Sequence, residues 1–141
     1  MPKDTSKAKH FEPPASAGKS DIVLISSDGI RYNLHLKYLE TASGLISNMV
    51  EDATPKAGEQ IKLSDKSCER AAVMDLVAPY FYNVKPAKLD DEEVQELCDM
   101  MAMGNKWEIH RAHELAAVEL AKRAYTPAEA FDVYCHAVKY D

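Results

Sequence analysis

The sequence predicts an α+β fold, a small three-stranded sheet with a cluster of about six helices. Three observations carry that expectation. The stretch DIVLISSDGIRYNLHL, from Asp21 to Leu36, reads as a β-hairpin. Ile61 and Leu63 alternate with Lys62 as a third short strand. From Val73 onward, apolar side chains recur mostly at helical spacing.

Each element has its own signal. Ile22–Ile25 is a continuous apolar run, as in a strand buried on both faces. Ser26-Ser27-Asp28-Gly29 supplies turn chemistry, with Gly29 free to adopt positive φ. Ile30, Tyr32 and Leu34 then alternate with Arg31, Asn33 and His35, as a half-exposed strand does. A short helix is expected around Leu36–Thr41. A second, capped by Ser43, carries Leu45, Ile46, Met49 and Val50 on one face. Residues 51–59 read as a polar loop before the third strand. Val73, Leu76, Val77 and Tyr80 fall on one helical stripe, which Pro79 should end near Ala78. Tyr80-Phe81-Tyr82 reads as a short strand before a turn. Asp90, with Glu93 three residues later, should open a helix whose core face is Val94, Leu97, Cys98 and Met101 and which Gly104-Asn105 stops. An alanine-rich helix from about His110 to Tyr125 follows. Thr126-Pro127-Ala128-Glu129 announces a last one, with Phe131, Tyr134, Cys135 and Val138 as its stripe.

The totals bound the function. A chain of 141 residues with 46% hydrophobic content suits one globular domain. Nothing approaches the ~18 consecutive apolar residues of a membrane helix, and no signal-peptide core stands at the N-terminus, so an intracellular location, cytoplasmic or nuclear, is expected. Cys68, Cys98 and Cys135 lack CxxC spacing and sit in helical patterns, as buried reduced thiols do. The net charge is −6, yet residues 1–20 hold four lysines against Asp4 and Glu12. That leaves an acidic body, which argues against nucleic-acid backbones as partners. Residues 1–20 are rich in Pro, Ser, Lys and Gly and read as a disordered tail. The domain proper is expected over 21–125, with 126–141 as a helical extension.

The order of these elements, with these residues, resembles the BTB/POZ family, related to Skp-type cullin adaptors and elongin C. Such sequences open with an Asp and an apolar run, pass a DG-like turn, and place a His four residues ahead of a Leu. They then read approximately A-S-x-x-F-x-x-M-F. Here the matches are Asp21, Ile22–Ile25, Asp28-Gly29, His35, Leu39 and Ala42-Ser43, followed by Ile46, Met49 and Val50. Phe81-Tyr82 is similar to the family's aromatic pair. Gly104-Asn105-Lys106-Trp107-Glu108-Ile109 is similar to its A-D-K-Y-x-I helix end. LISSDG is also very like elongin C. The resemblance spans about residues 21–125 and implies a module whose product is a surface rather than a reaction.

Candidate sites follow from both readings. A hydrolase would need Ser26 or Ser27 oriented by His35, with Asp21 behind it, but neither serine stands in a GxSxG-like elbow. His110, His113 and Cys135-His136 lack the spacing of a zinc site, and the glycines are too scattered for a phosphate loop. No catalytic residue, metal or cofactor is therefore expected. By resemblance, a dimer face would involve Asp21, Ile22, Leu36, Leu39, Leu45 and Ile46. A partner or cullin surface would involve Met49, Val50, Met100, Met103 and Trp107. Met49 and Met101 also lie on helical stripes and so read as core. Met100 and Met103 fall off the stripe and, with Trp107, read as an exposed apolar patch. In some relatives the Asp joins a basic residue directly after the His in a charged corepressor pocket. Here Leu36 stands in that place, and the lysine comes one later, at Lys37.

Four function classes are weighed on these grounds. The first is a non-enzymatic protein-interaction module that oligomerises, as a homodimer or with other chains, and recruits partners. The second is an adaptor linking a substrate or receptor to a cullin ubiquitin ligase. Residues 51–59 hold no clear hydrophobic-x-Glu match to the motif of many cullin-binding members. The third, the oligomerisation domain of a transcription regulator, needs a DNA-binding segment that these residues do not contain. An enzyme is the class the residues favour least.

Overall fold

The computed structural model describes residues 9–86 and 88–123, together with Ala128, Glu129, Phe131 and Cys135. Among them are three strands, β1 (Ile22–Ile25), β2 (Arg31–Leu34) and β3 (Glu59–Lys62). Six α-helices accompany them: α1 (Leu36–Ala42), α2 (Gly44–Asp52), α3 (Ala71–Val77), α4 (Pro79–Tyr82), α5 (Val94–Lys106) and α6 (His110–Lys122). The α+β class, the three-stranded sheet and the helical cluster therefore stand.

The sheet order is β2-β1-β3. β1 and β2 form the antiparallel hairpin, Leu24 opposite Tyr32, and Gly29 turns it at φ 91°. β3 lies parallel to β1, Leu24 opposite Ile61, after a crossover through α1 and α2. As the central strand, β1 buries Ile22, Val23 and Leu24 together, whereas β2 alternates buried and exposed. The hairpin turn also serves a second element. Asp28 Oδ1 accepts the backbone N–H of Ala71 at 2.9 Å, at the start of α3, and Ser27 N–H donates to the Glu69 carbonyl.

Three expectations change. Tyr80-Phe81-Tyr82 is helix rather than strand. Pro79 ends α3 as expected but then occupies the first position of α4, where its missing N–H costs nothing. The helix expected from Asp90 begins only at Val94, and Glu93 occupies its N-cap position without a side-chain cap. Its end also lies further on than Gly104-Asn105. Glu108 N–H donates to the Asn105 carbonyl and Ile109 N–H to that of Gly104, a Schellman closure with Glu108 in the left-handed region at φ 54°. Gly104 instead sits inside the helix where α6 crosses closely. A Cβ there would lie 2.7 Å from the His113 backbone nitrogen.

α5 is the centre of the core. Leu97 to Gly104 are all buried, because α3 packs on one side of the helix and α6 on the other. This surrounds Met100 and Met103, both 0% exposed, and Trp107 is buried beside them. The exposed patch expected from these three side chains does not exist. Its premise was a helix with one wet face.

Residues 9–20 are not a detached tail. The His10 ring and the Phe11 N–H both meet the Asp75 carboxylate, at 2.9 Å each. The Phe11 ring packs on Tyr82 with centroids 5.7 Å apart. A 3-10 turn at Ala15–Ala17 then leads to Gly18. Residues 1–8, Thr126, Pro127, Tyr134 and Val138 lie outside the described residues. Phe131 is 66% exposed, and Cys135 is exposed rather than a buried thiol. Cys68 lies in the loop before α3 and is buried, as is Cys98 on α5.

Candidate interaction surface

Two successive short helices, α1 and α2, carry most of the residues expected at a partner surface, and each is fixed at its N-terminus by a distant group. His35 precedes α1 without a side-chain cap. The cap comes instead from Asp21, at the edge of β1, whose Oδ1 accepts the Leu36 N–H at 2.8 Å. His35 is occupied elsewhere. Its Nε2 meets the Gly18 carbonyl at 2.9 Å, so that nitrogen carries the proton. Nδ1 then accepts from the Tyr82 hydroxyl at 2.9 Å, and the same oxygen accepts the His35 backbone N–H at 3.0 Å. Burial pushes the Tyr82 phenol up to about 12, against the opposing hydrogen bond from His35.

α2 is anchored differently. Ser43 Oγ accepts the Ile46 N–H, as the sequence predicts for a cap, and also donates to the Trp107 carbonyl at 2.6 Å. The N–H groups of Gly44 and Leu45 reach the carbonyls of Glu108 and Trp107. Orphan donors at the start of α2 thus face orphan acceptors at the end of α5, with opposite ends of the two helix dipoles apposed.

The eleven residues expected at interfaces divide into core and surface. Ile22, Leu39 and Ile46 are at most 2% exposed, and no partner can touch them while the fold is closed. The reason is geometric: β1 is the middle strand, and α1 and α2 turn these side chains onto the core. Met100, Met103 and Trp107 are buried around α5. The remaining five do reach the surface. Asp21 is exposed, Leu36, Leu45 and Val50 are half-buried against the core, and Met49 is 37% exposed rather than internal.

Tyr38, which sequence reasoning missed, joins them at 37% exposure. It stacks on Tyr82 with centroids 4.9 Å apart and lies edge-on to His35 at 5.9 Å. No periodicity marks Tyr38, since it stands off the stripe among Lys37, Glu40 and Thr41. An exposed aromatic in the first turn of a short helix was the signal available.

No protein-family model matches the chain, and no curated protein matches it. The polar groups of the considered hydrolase reading are committed to structure. Ser26 Oγ donates to Asp28 and accepts the Ile30 N–H, so it closes the hairpin turn. His113 Nδ1 faces the Met101 carbonyl at 3.1 Å, which ties α6 to α5, while His110 is exposed. Among the described residues, no three His, Cys, Asp or Glu side chains are grouped to hold a metal ion. Nor is any helix among them long and apolar enough to cross a membrane.

Proposed function

We propose that this chain is a non-enzymatic protein-interaction module of the BTB/POZ type, which associates with itself and recruits other proteins through its α1–α2 face. The observation that carries the reading is the apolar set Leu36, Tyr38, Leu45, Met49 and Val50, left at the surface of two helices. Both helices are pinned at their N-termini, by Asp21 and by the end of α5. A rigid surface loses little entropy on binding, so such a set favours association. The order β-β-α-α-β, with β3 parallel to β1, supports the same reading.

The test is solution mass by light scattering across protein concentrations, for the wild type beside Leu36→Asp and Met49→Glu. Circular dichroism on each variant checks that the fold is retained. A dimer that either substitution converts to monomer supports the self-associating reading. A monomer at every concentration sinks it and favours a single-copy adaptor. A cullin pull-down would follow, using Met49 and Val50, the two residues of that expected surface that are accessible.

A further inference from the structure

Away from the α1–α2 face, α4, the loop after it and the start of α6 line a half-open cavity of about 230 Å³. Its walls include Pro79, Tyr80, Asn83, Lys85, Pro86 and Arg111. We propose that this cavity receives a carboxylate side chain from an acidic peptide segment of a partner protein.

The charge is the first argument. The chain carries a net charge of −6, yet the described residues that line this cavity include two cations and no acid. Among the described residues, neither Arg111 nor Lys85 forms an ion pair, a state that exposed cations such as Arg31 share, while Arg70 and Arg123 are paired with carboxylates and Lys106 lies between two. Arg111 is held another way, its guanidinium carbon 5.9 Å from the centre of the Tyr80 ring. That contact orients the planar fork and leaves its donors for a carboxylate, which guanidinium matches with two parallel hydrogen bonds.

The frame is the second argument. Asn83 turns the chain at φ 52°, and Pro79 and Pro86 stiffen the wall on either side. Further along the same connection, Arg123 donates to the carbonyls of Leu89, Asp90 and Glu92 and ties it to α6. The cavity is therefore shaped before a ligand arrives. The prolines and Tyr80 place apolar and aromatic surface beside the cations. A bare inorganic anion has no use for that surface, but the backbone and stem of a peptide residue do.

This inference rests on the interaction-module reading, but the two fail separately, because self-association is read as mass and this site as peptide binding. The experiment uses the full chain and a fluorescein-labelled tetraglutamate peptide, followed by anisotropy, with tetraglutamine as control. Tetraglutamate should bind and tetraglutamine should not. Arg111→Gln should weaken binding about tenfold, the loss of one bidentate charge-assisted contact. Lys85→Gln should weaken it less. Arg111 is exposed and Arg111→Gln is expected to fold, which circular dichroism checks. Lys9→Gln with Lys19→Gln, in the basic N-terminal segment, should leave binding unchanged. Unchanged affinity in Arg111→Gln, or no binding by the wild type at millimolar peptide, would overturn the site. Equal displacement by free glutamate or inorganic phosphate at the peptide's own concentration would overturn the peptide as its ligand.

Discussion

Trp107 Nε1 donates to Glu69 Oε2 at 2.8 Å, with both side chains buried. Glu69 is a carboxylate only 3% exposed. Its other oxygen accepts the Asp65 N–H at 3.0 Å and lies 3.2 Å from Lys106 Nζ. Three donors thus satisfy a charge that would otherwise be costly to bury. Trp107→Phe keeps the aromatic packing and removes one of them. It should destabilise the fold by about 1–3 kcal/mol, the range for stranding a buried acceptor. Urea unfolding followed at 222 nm checks this, since the substitution removes the chain's single tryptophan. A loss below ~0.5 kcal/mol would mean water replaces the indole N–H.

The end of α5 makes a paired prediction. Gly104→Ala should destabilise by about 1–3 kcal/mol, because the new methyl meets the His113 backbone rather than a side chain able to move. Glu108→Gly, four residues on, should stabilise by about 0.5–1 kcal/mol, because glycine adopts φ 54° without the strain a Cβ brings. Thermal melts of the two variants should shift in opposite directions. Equal signs would contradict the Schellman assignment.

The same segment shows what the residues disclosed and what they hid. The hairpin was legible because alternation at Ile30, Tyr32 and Leu34 and the Asp28-Gly29 turn are local signals. The Ser43 cap was legible for the same reason. Met100, Met103 and Trp107 were misread as surface because one helical stripe assumes one buried face, and only the tertiary arrangement of α3 and α6 around α5 closes the other. The division of the α1–α2 residues into core and surface was hidden likewise, since family resemblance names positions and not their exposure. Arg111 and Tyr80 stand 31 positions apart and no local pattern joins them.

The disorder expected of residues 1–20 does not hold for residues 9–20, because composition does not register one well-placed aromatic. Phe11 packs on Tyr82, the His10 ring lies near Tyr32, and Asp75 collects three donors from His10, the Phe11 N–H and the Tyr32 hydroxyl. Phe11→Ala should cost about 1–2 kcal/mol, less than a fully buried phenylalanine because the site is half-exposed. Hydrogen exchange gives the sharper readout. The Phe11 amide should be protected in the wild type and exchange much faster in Phe11→Ala. Full exchange of that amide in the wild type would mean the segment is detached in solution.

Asp65 sets the last prediction. Its Oδ1 accepts from the Ser67 hydroxyl and N–H and from the Cys68 N–H, and Lys106 Nζ lies 3.6 Å from Oδ2. The Ser67 hydrogen bond is the largest influence. Against modest desolvation, these contacts hold the carboxyl well below its ordinary value near 3.8. A depressed folded-state value means the unfolded chain binds the proton more readily. The stabilisation is therefore complete above about pH 4–5 and is lost as pH falls further. Asp65→Asn keeps an acceptor for the same donors and removes the charge. The stability difference between wild type and Asp65→Asn, from urea unfolding, should be constant between pH 7 and 5. It should shrink steadily from pH 4 to pH 2.5. A difference that stays level to pH 2.5 would show that hydrogen bonding to Asp65 does not distinguish its charged form.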